Sequence, residues 1–186
     1  MIGYAMCGSF CTHKISLSVL SALVDSGNDI QPIVSENTAS TDTRFGKAED
    51  LLKTLTILTG KKPITTIKEA EPLGPATPLE ALIIAPCTGN TLAKLANGIT
   101  DTSVCMAAKA HMRSERPLLI ALATNDALSA NLANIGALMQ RKNVFFVPLI
   151  QDDPVKKPFS LVTDFSLLPE AFIAMREKRQ LRPLFK

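Results

Sequence analysis

The sequence predicts a three-layer α/β fold, in which helices cover both faces of one doubly wound, mostly parallel sheet. Three observations lead to this prediction. Short aliphatic runs alternate with amphipathic segments of helical length along the chain. The best of these runs is apolar throughout, which is typical of a strand buried on both faces. Finally, 46% of the residues are hydrophobic and only 5% are aromatic, which favours a core of Ala, Leu, Ile and Val.

The predicted strands are short apolar runs that end at small or polar residues. We expect strands at residues 2–6, 29–34, 65–67, 81–85, 118–123 and 144–148, the last of these being the last central strand. Three connecting segments show neither the alternation typical of a strand nor the apolar spacing typical of a helix. They are a polar, mobile loop at 38–44, an irregular Pro- and Gly-containing stretch at 71–78, and a Pro- and Lys-rich loop at 151–159.

The predicted helices show apolar residues at helical spacing between polar ones. They cover residues 12–26, 46–60, the stretch after the turn at 85–91 to about 97, 103–113, 129–141 and 168–178. The side chains expected to face inward are Ile15, Val19, Leu20, Leu23, Leu51, Leu52, Leu55, Leu58, Leu132, Ile135 and Leu138.

Length and composition exclude several classes of protein. The 186 residues show no internal repeat or linker, so we expect a single domain over residues 1–186. The net charge of +3 comes without a block of Lys or Arg, which argues against a nucleic-acid partner. The longest aliphatic run, 118–122, is too short for a bilayer, and the first residues lack the pattern of a signal peptide. We therefore expect a cytoplasmic protein with no membrane partner.

The four cysteines do not follow a metal-binding pattern. Cys7, Cys11, Cys87 and Cys105 form no CxxC pair, and only two histidines accompany them. In a cytosolic protein, such residues act as reduced thiols of small apolar character. We therefore predict no metal site.

The most informative segment is the run from Ala85 to Asp101, which directly follows the buried strand at 81–85. Thr88, Asn90 and Thr91 offer hydrogen-bond donors and acceptors, and the glycine between them lets a flat ligand approach the backbone. The helix that follows presents free N–H groups to an anion. Since open α/β sheets bind ligands at the carboxyl ends of their strands, we place the active site here.

Three strand exits should meet at this edge of the sheet: 7–11, 85–91 and 123–126. Each combines small residues with hydroxyls or amides. Gly8 and Ser9 open a helix and could hold a phosphate. Neither GxGxxG nor GxxxxGK[ST] occurs, which disfavours a dinucleotide or a nucleoside triphosphate. The three exits together suit a mononucleotide with a flat ring.

These motifs resemble a known family. The order Gly8-Ser9, Ser35, residues 85–91 and residues 93–98 resembles the flavoprotein family of homo-oligomeric flavin-containing cysteine decarboxylases. The resemblance implies a flavodoxin-like, Rossmann-like fold, an FMN cofactor and a homo-oligomer. The residues that it implies for the FMN site are Gly8, Ser9, Phe10, Ser35, Pro86, Cys87, Thr88, Gly89, Asn90, Thr91, Ala123, Thr124 and Asn125.

Within that site, the resemblance implies a division of roles. Gly8 and Ser9 would face the ribityl-phosphate end of FMN, and Asn90 and Asn125 would face the ring. For Ser9 or Ser35 taken alone, an ordinary turn or cap is the favoured interpretation, whereas the joint pattern around Asn90 favours a binding site.

Three departures from the family pattern disfavour its best-known reaction. The segment 73–78 lacks the His that family decarboxylases carry before the Asn-Thr turn. Residues 122–125 read Leu-Ala-Thr-Asn in place of Pro-Ala-Met-Asn, and 152–158 replace a glycine-rich substrate clamp. Decarboxylation of a peptidyl or pantothenoyl cysteine is therefore not the expected activity.

A narrower resemblance covers almost the whole chain, from Gly3 to Pro183. Residues 85–91, 123–128 and 146–154 are similar to a branch of the family that forms one component of a two-chain oxidoreductase. The resemblance implies oxidation of a dihydropyridine dicarboxylate to pyridine-2,6-dicarboxylate in the mother cell of a sporulating bacterium. It also implies a partner chain that carries NAD(P). The alternatives are a stand-alone FMN-dependent decarboxylase, a prenyl-transferring flavoprotein and a non-catalytic assembly subunit.

A small dicarboxylate substrate should meet a cation. The sequence offers Arg44, Lys109 and Arg113 as candidates. His111 is a candidate proton shuttle, because the ordinary pKa of its side chain lies near neutrality. The alternative interpretation of His111 is a surface or packing residue.

Overall fold

The computed structural model describes residues 1–74 and 76–186. Its seven-stranded sheet is mostly parallel and is flanked by helices, as the sequence predicts. The strands are β1 Ile2–Met6, β2 Ile30–Val34, β3 Ala81–Cys87, β4 Leu118–Thr124, β5 Val144–Phe146, β6 Leu149–Ile150 and β7 Leu161–Thr163. The helices are α1 His13–Asp25, α2 Glu36–Ser40, α3 Ala48–Thr59, α4 Ile67–Ala70, α5 Gly89–Asn97, α6 Ser103–Met112, α7 Leu132–Met139 and α8 Leu168–Arg176.

The strand order is β2-β1-β3-β4-β7-β6, with β5 also paired to β4. Strands β1 to β5 are parallel, whereas β7 runs antiparallel to both β4 and β6. The first half of β4 pairs with β5, and its second half pairs with β7 through Ala123↔Val162 and Thr124↔Leu161. The chain of β7 therefore lies beside the point at which β4 ends.

Alternation along the strands divides the core into two parts. In β3, Leu82 and Ile84 face a core that includes residues of α4, α5, α6 and α7. Ile83 and Ala85 face the opposite core, which includes residues of α1, α3 and α8. Both parts are built mainly from aliphatic side chains, as the composition predicts.

Local capping explains where the helix after β3 begins and ends. The Thr88 hydroxyl caps α5 by accepting from the Thr91 N–H at 3.2 Å. Gly98 ends the helix with φ of 71°, a left-handed conformation that glycine adopts without strain. The predicted strand–turn–helix unit is therefore present, with β3 two residues longer than expected.

The predicted strand at 65–67 is wrong. Of these residues, Ile67 begins α4 and Thr66 is its N-cap, which makes a reciprocal capping box with Glu69. The Thr66 hydroxyl accepts from the Glu69 N–H at 3.2 Å, and the Glu69 carboxylate accepts from the Thr66 N–H at the same distance. Only an isolated bridge between Ile33 and Ile64 resembles strand pairing here.

Three further expectations need correction. The loop predicted at 38–44 begins later, because α2 extends to Ser40. The strand at 144–148 ends at Phe146 and pairs with β4 alone among the described strands, so it is not central. Ile15 and Leu132 point outward, each about half exposed, because the buried faces of α1 and α7 run through Leu20 and Ile135.

In the predicted irregular stretch 71–78, Glu71–Leu73 form a 3₁₀ turn and Pro75 lies outside the described residues.

No helix in the described parts of the chain combines the length and the apolar character needed to cross a bilayer.

Candidate functional site

Two adjoining cavities open at the carboxyl edge of the sheet. The larger has a volume of about 670 Å³ and the smaller about 450 Å³. The larger is lined by Gly8, Ser9, Phe10, Cys11, Thr12, Phe45, Thr88, Gly89, Asn90, Ala123, Thr124, Asn125, Asp152, Lys157, Ser160, Leu161 and Val162. The smaller is lined by Cys7, Gly8, Phe10, Ser35, Glu36, Asn37, Thr88, Asn90, Thr91, Lys94, Asp101 and Thr102.

The two cavities share a wall made of Gly8, Phe10, Thr88 and Asn90. The three strand exits expected to converge thus meet in the larger cavity, where the exits of β1, β3 and β4 all contribute lining residues. Ser35 and Thr91 extend the arrangement into the smaller cavity. The parallel direction of the strands places these exits at one edge.

Hydroxyl and thiol groups beneath the shared wall are bonded to one another. The Thr88 hydroxyl donates to the Thr91 Oγ1 at 3.2 Å, and the Thr91 hydroxyl donates to the Cys7 Sγ at 3.3 Å. Burial raises the pKa of the Cys7 thiol to about 12. A thiol held neutral in this way is a poor nucleophile, which favours a packing role for Cys7 beneath the wall.

Gly89 marks a close approach between α5 and the exit of β4. The Thr124 hydroxyl donates to Asp126 Oδ1 at 2.5 Å, and the Asn131 amide donates to both Asp126 oxygens at 2.9 Å. A Cβ at position 89 would lie 2.6 Å from Asn131 Nδ2 and Thr124 Oγ1, and 2.8 Å from Asp126 Oδ1. Only glycine therefore lets α5 begin against this cluster.

The outer wall of the larger cavity is the segment 151–160 between β6 and β7, called here the strap. It is fastened to the β4 exit, since the Leu128 N–H donates to the Phe159 carbonyl at 2.9 Å and the Ser160 hydroxyl donates to the Thr124 carbonyl at 3.3 Å. Its Lys157 ammonium lies 2.8 Å from Asp152 Oδ2. This contact lowers the pKa of Asp152 and raises that of Lys157. Both groups stay charged near neutral pH.

The charges that line the smaller cavity are compensated within the protein. Lys94 Nζ lies 2.8 Å from Asp101 Oδ1. The Glu36 carboxylate accepts from the Ser103 N–H at 2.8 and 3.1 Å, at the positive end of α6. The groups that remain for a ligand along the shared wall are therefore neutral donors and the N-terminus of α5.

The structure separates three of the predicted substrate residues from the cavities. At the start of α6, the Ser103 hydroxyl donates to the Val34 carbonyl at the end of β2. At the other end of that helix, His111 Nε2 donates to the Pro117 carbonyl at 2.8 Å, just before β4 begins. Lys109, His111 and Arg113 thus lie toward the amino edge of the sheet. None of the three lines either cavity, because α6 leads away from them, so a role for His111 and these cations stays a prediction that this geometry does not favour.

The remaining predicted residues lie at or below the site. Arg44 is exposed, and its guanidinium lies 4.8 Å from the centre of the Phe45 ring, which lines the larger cavity. Pro86 and Cys87 are buried at the end of β3, beneath the lining residues. Burial raises the pKa of the Cys87 thiol.

Sequence reasoning missed Phe45, Asp152, Lys157 and Ser160. A signal for the strap residues was present, since the run Asp-Asp-Pro-Val-Lys-Lys places opposite charges within one short loop. Within residues 1–74 and 76–186, no three His, Cys, Asp or Glu side chains are grouped so that they could hold a metal ion.

The arrangement suits a flat ligand that carries one anionic group. Gly8, Gly89 and Ala123 leave flat stretches of wall, and Asn90 and Asn125 offer amide donors and acceptors along it. The N-terminus of α5 favours an anion. Cavities of this size are in the range that holds cofactors and small ligands.

Comparison with known proteins yields matches over most of the chain. A family model described as Flavoprotein matches residues 1–165. The B subunit of dipicolinate synthase from Bacillus subtilis (strain 168) is 45% identical over 183 residues, which are 98% of this chain and 92% of the relative.

Solved structures also match almost the whole chain. The crystal structure of the dipicolinate synthase B subunit from Bacillus halodurans C matches with a TM-score of 0.91 and 38% identity, over 100% of this chain and 95% of that one. The FMN-dependent cysteine decarboxylase SpaF matches with a TM-score of 0.68 at 21% identity, over 95% of each chain, and shares the fold.

Proposed function

We propose a function that proceeds from one fact: this chain belongs to the Flavoprotein family. Our proposal is that it serves as the B subunit of a dipicolinate synthase. In that role it takes part in oxidising a dihydrodipicolinate-type precursor to pyridine-2,6-dicarboxylate. The main support is the near-full-length similarity to two dipicolinate synthase B subunits, at 45% and 38% identity.

The cavities at the carboxyl edge are the proposed FMN site. Their donors fit that cofactor, because the phosphate can be bound by neutral groups and by a helix N-terminus without a buried cation. Gly8 and Ser9 would hold the ribityl-phosphate end, and Asn90 and Asn125 would orient the ring. The other residues proposed to line the site are Phe10, Ser35, Pro86, Cys87, Thr88, Gly89, Thr91, Ala123 and Thr124. Bound FMN would supply two-electron redox chemistry.

The strap would cover the substrate in the outer part of the larger cavity. Its backbone is fastened to the β4 exit, so it can exclude water without a large movement. The substrate would be a small dicarboxylate, because the product, pyridine-2,6-dicarboxylate, carries two carboxylates. We also propose a dipicolinate synthase A chain as partner, with NAD(P) bound on that chain, and assembly of this chain into a homo-oligomer in the mother-cell cytoplasm of a sporulating bacterium.

The test is a reconstitution with purified chains. This chain, the A chain from the same organism, and both together would be incubated with the dihydro precursor, FMN and NADP, and pyridine-2,6-dicarboxylate would be quantified by chromatography. We expect efficient product formation only with both chains. We also expect the Asn90→Ala variant to lower the rate about 10-fold or more, since it removes an orienting amide.

Other outcomes would select the alternatives. Full activity of this chain alone would contradict the two-chain assignment. Full activity of the A chain alone would leave this chain as a non-catalytic assembly subunit. Release of carbon dioxide from a cysteine-ended peptide would favour a stand-alone decarboxylase.

A further inference from the structure

We infer that Lys157 on the strap is the residue that binds a carboxylate of the substrate. The inference rests on the proposed function for the class of substrate, a small pyridine dicarboxylate. It assigns the recognition of that ligand to a residue which sequence reasoning did not select.

The charges of the larger cavity lead to this residue. Among the described residues that line it, Lys157 is the one cation and Asp152 the one anion. A dicarboxylate gains most from a charge-assisted hydrogen bond, which a Lys ammonium can donate. Of the cations expected from the sequence, Lys109 and Arg113 lie toward the other edge of the sheet, and Arg44 lies against the Phe45 ring outside the lining.

The strap holds Lys157 in place through its own backbone. The Lys157 N–H donates to the Asp153 carbonyl at 2.7 Å, and the Ser160 N–H donates to the Lys157 carbonyl at 3.0 Å. Ser160 in turn bonds to the Thr124 carbonyl in the β4 exit. The position of Lys157 is therefore tied to the same exit that carries Asn125.

The Lys157 side chain is both oriented and accessible. Its Nζ lies 2.8 Å from Asp152 Oδ2, yet 53% of its side chain is exposed, against 29% for Asp152. An ammonium has three donors, so this contact leaves two for a ligand carboxylate. Because an exposed ion pair contributes little to stability, sharing the ammonium with a ligand costs little.

The neighbouring Lys156 supplies a matched control. It lies on the same strap and carries the same charge, but it does not line the cavity. A general electrostatic field would involve both lysines, whereas a specific contact would involve Lys157 alone.

The experiment is calorimetric titration of the full-length, FMN-loaded chain with pyridine-2,6-dicarboxylate, and with unsubstituted pyridine as an uncharged probe. The variants are Lys157→Met, Lys157→Arg and Lys156→Met, with circular dichroism as a check on folding. We expect Lys157→Met to weaken dicarboxylate binding about 10-fold or more. We expect Lys157→Arg to recover part of the loss, Lys156→Met to change it less than about twofold, and pyridine binding to be equally weak in all.

The inference would be overturned if both Met variants lost the same dicarboxylate affinity, or if Lys157→Met bound the dicarboxylate as tightly as the wild type. It would also be overturned if the wild type did not bind the dicarboxylate. Titration with FMN separates this outcome from failure of the proposed function. A wild type that binds FMN and turns over with the A chain, but shows no dependence on Lys157, keeps the function and loses only the inference. A wild type that does not bind FMN contradicts the proposed function itself.

Discussion

The two edges of the sheet carry the same contact in different surroundings. At the carboxyl edge, His13 Nε2 donates to the Cys7 carbonyl at 2.8 Å. At the amino edge, His111 Nε2 donates to the Pro117 carbonyl at the same distance. Beside His13, the exit of β1 continues into Gly8 and Ser9, which line the open larger cavity. Around His111 the space is filled, and the nearby Arg116 donates to the Leu79 carbonyl at 2.7 Å.

This difference shows that residue type alone does not determine which side chains a ligand can reach. In the sequence, a histidine and two cations near the end of α6 suggest a proton shuttle and substrate contacts. In the structure, His111 is buried and bonded to the Pro117 carbonyl, and Lys109 and Arg113 are exposed beside it at the end of the same helix. The opposite edge contains helix N-termini and unpacked polar side chains, and these are what a ligand can use.

Gly89→Ala is expected to have the largest effect, because it places a methyl group into the cluster that joins α5 to the β4 exit. The added Cβ would lie within 2.8 Å of three polar side-chain atoms, so they must shift. We expect a loss of about 1–3 kcal/mol in the free energy of unfolding and at least 10-fold weaker FMN binding. Urea denaturation and fluorescence titration would measure the two.

Gly136→Ala is the control for this prediction. Outside its chain neighbours and the nearby backbone of its own helix, no atom lies within 4 Å of a Cβ built at that position in α7, so helix propensity should make this variant slightly more stable. If Gly89→Ala kept the stability and FMN affinity of the wild type, the close packing of α5 against the β4 exit would be contradicted.

Asn131→Ala is expected to have the next largest effect. The buried Asn131 amide donates to both oxygens of Asp126, and the substitution leaves that carboxylate with fewer donors. We expect a loss of about 1–3 kcal/mol of stability and weaker FMN binding through movement of Asn125. Asn134→Ala, which removes a donor to the Asn131 side-chain oxygen at 3.0 Å, should cost less in denaturation experiments. Equal effects would contradict a specific role of the Asp126 contact.

The pH dependence of stability should be the smallest effect, and it involves both edges. Burial lowers the pKa of His13 and of His111 from 6.5. The unfolded chain therefore binds protons more readily, and the stabilisation present above about pH 6.5 is lost as the pH falls through the folded values. His111→Gln should reduce the loss of urea stability between about pH 7.5 and about pH 5.5 without changing FMN affinity. An unchanged pH profile would contradict this assignment.

Much of the carboxyl edge could be predicted because its signals are local. The apolar run of β3, the Thr88 cap and Gly98 lie within one short segment, and each acts on its neighbours. The strap could not be predicted in the same way. Strands of two or three residues, such as β6 and β7, form only because β4 offers a free edge to pair with.

The position of His111 could have been corrected from the sequence. A ten-residue helix rises about 15 Å, enough to carry its last turn away from the edge at which it starts. The strand predicted at 65–67 failed for a different reason. Its β-branched residues suit a strand, but the reciprocal Thr66–Glu69 cap begins a helix there.

The most direct test of the proposed FMN site compares one substitution at each edge. FMN fluorescence would be titrated with the wild-type chain, with Asn90→Ala at the carboxyl edge and with Lys109→Met near the amino edge. Both positions are exposed, so neither variant should unfold the protein. We predict binding by the wild type, unchanged binding by Lys109→Met and about 10-fold weaker binding by Asn90→Ala. Absence of wild-type binding, or equal affinities in all three proteins, would contradict an FMN site at the carboxyl edge.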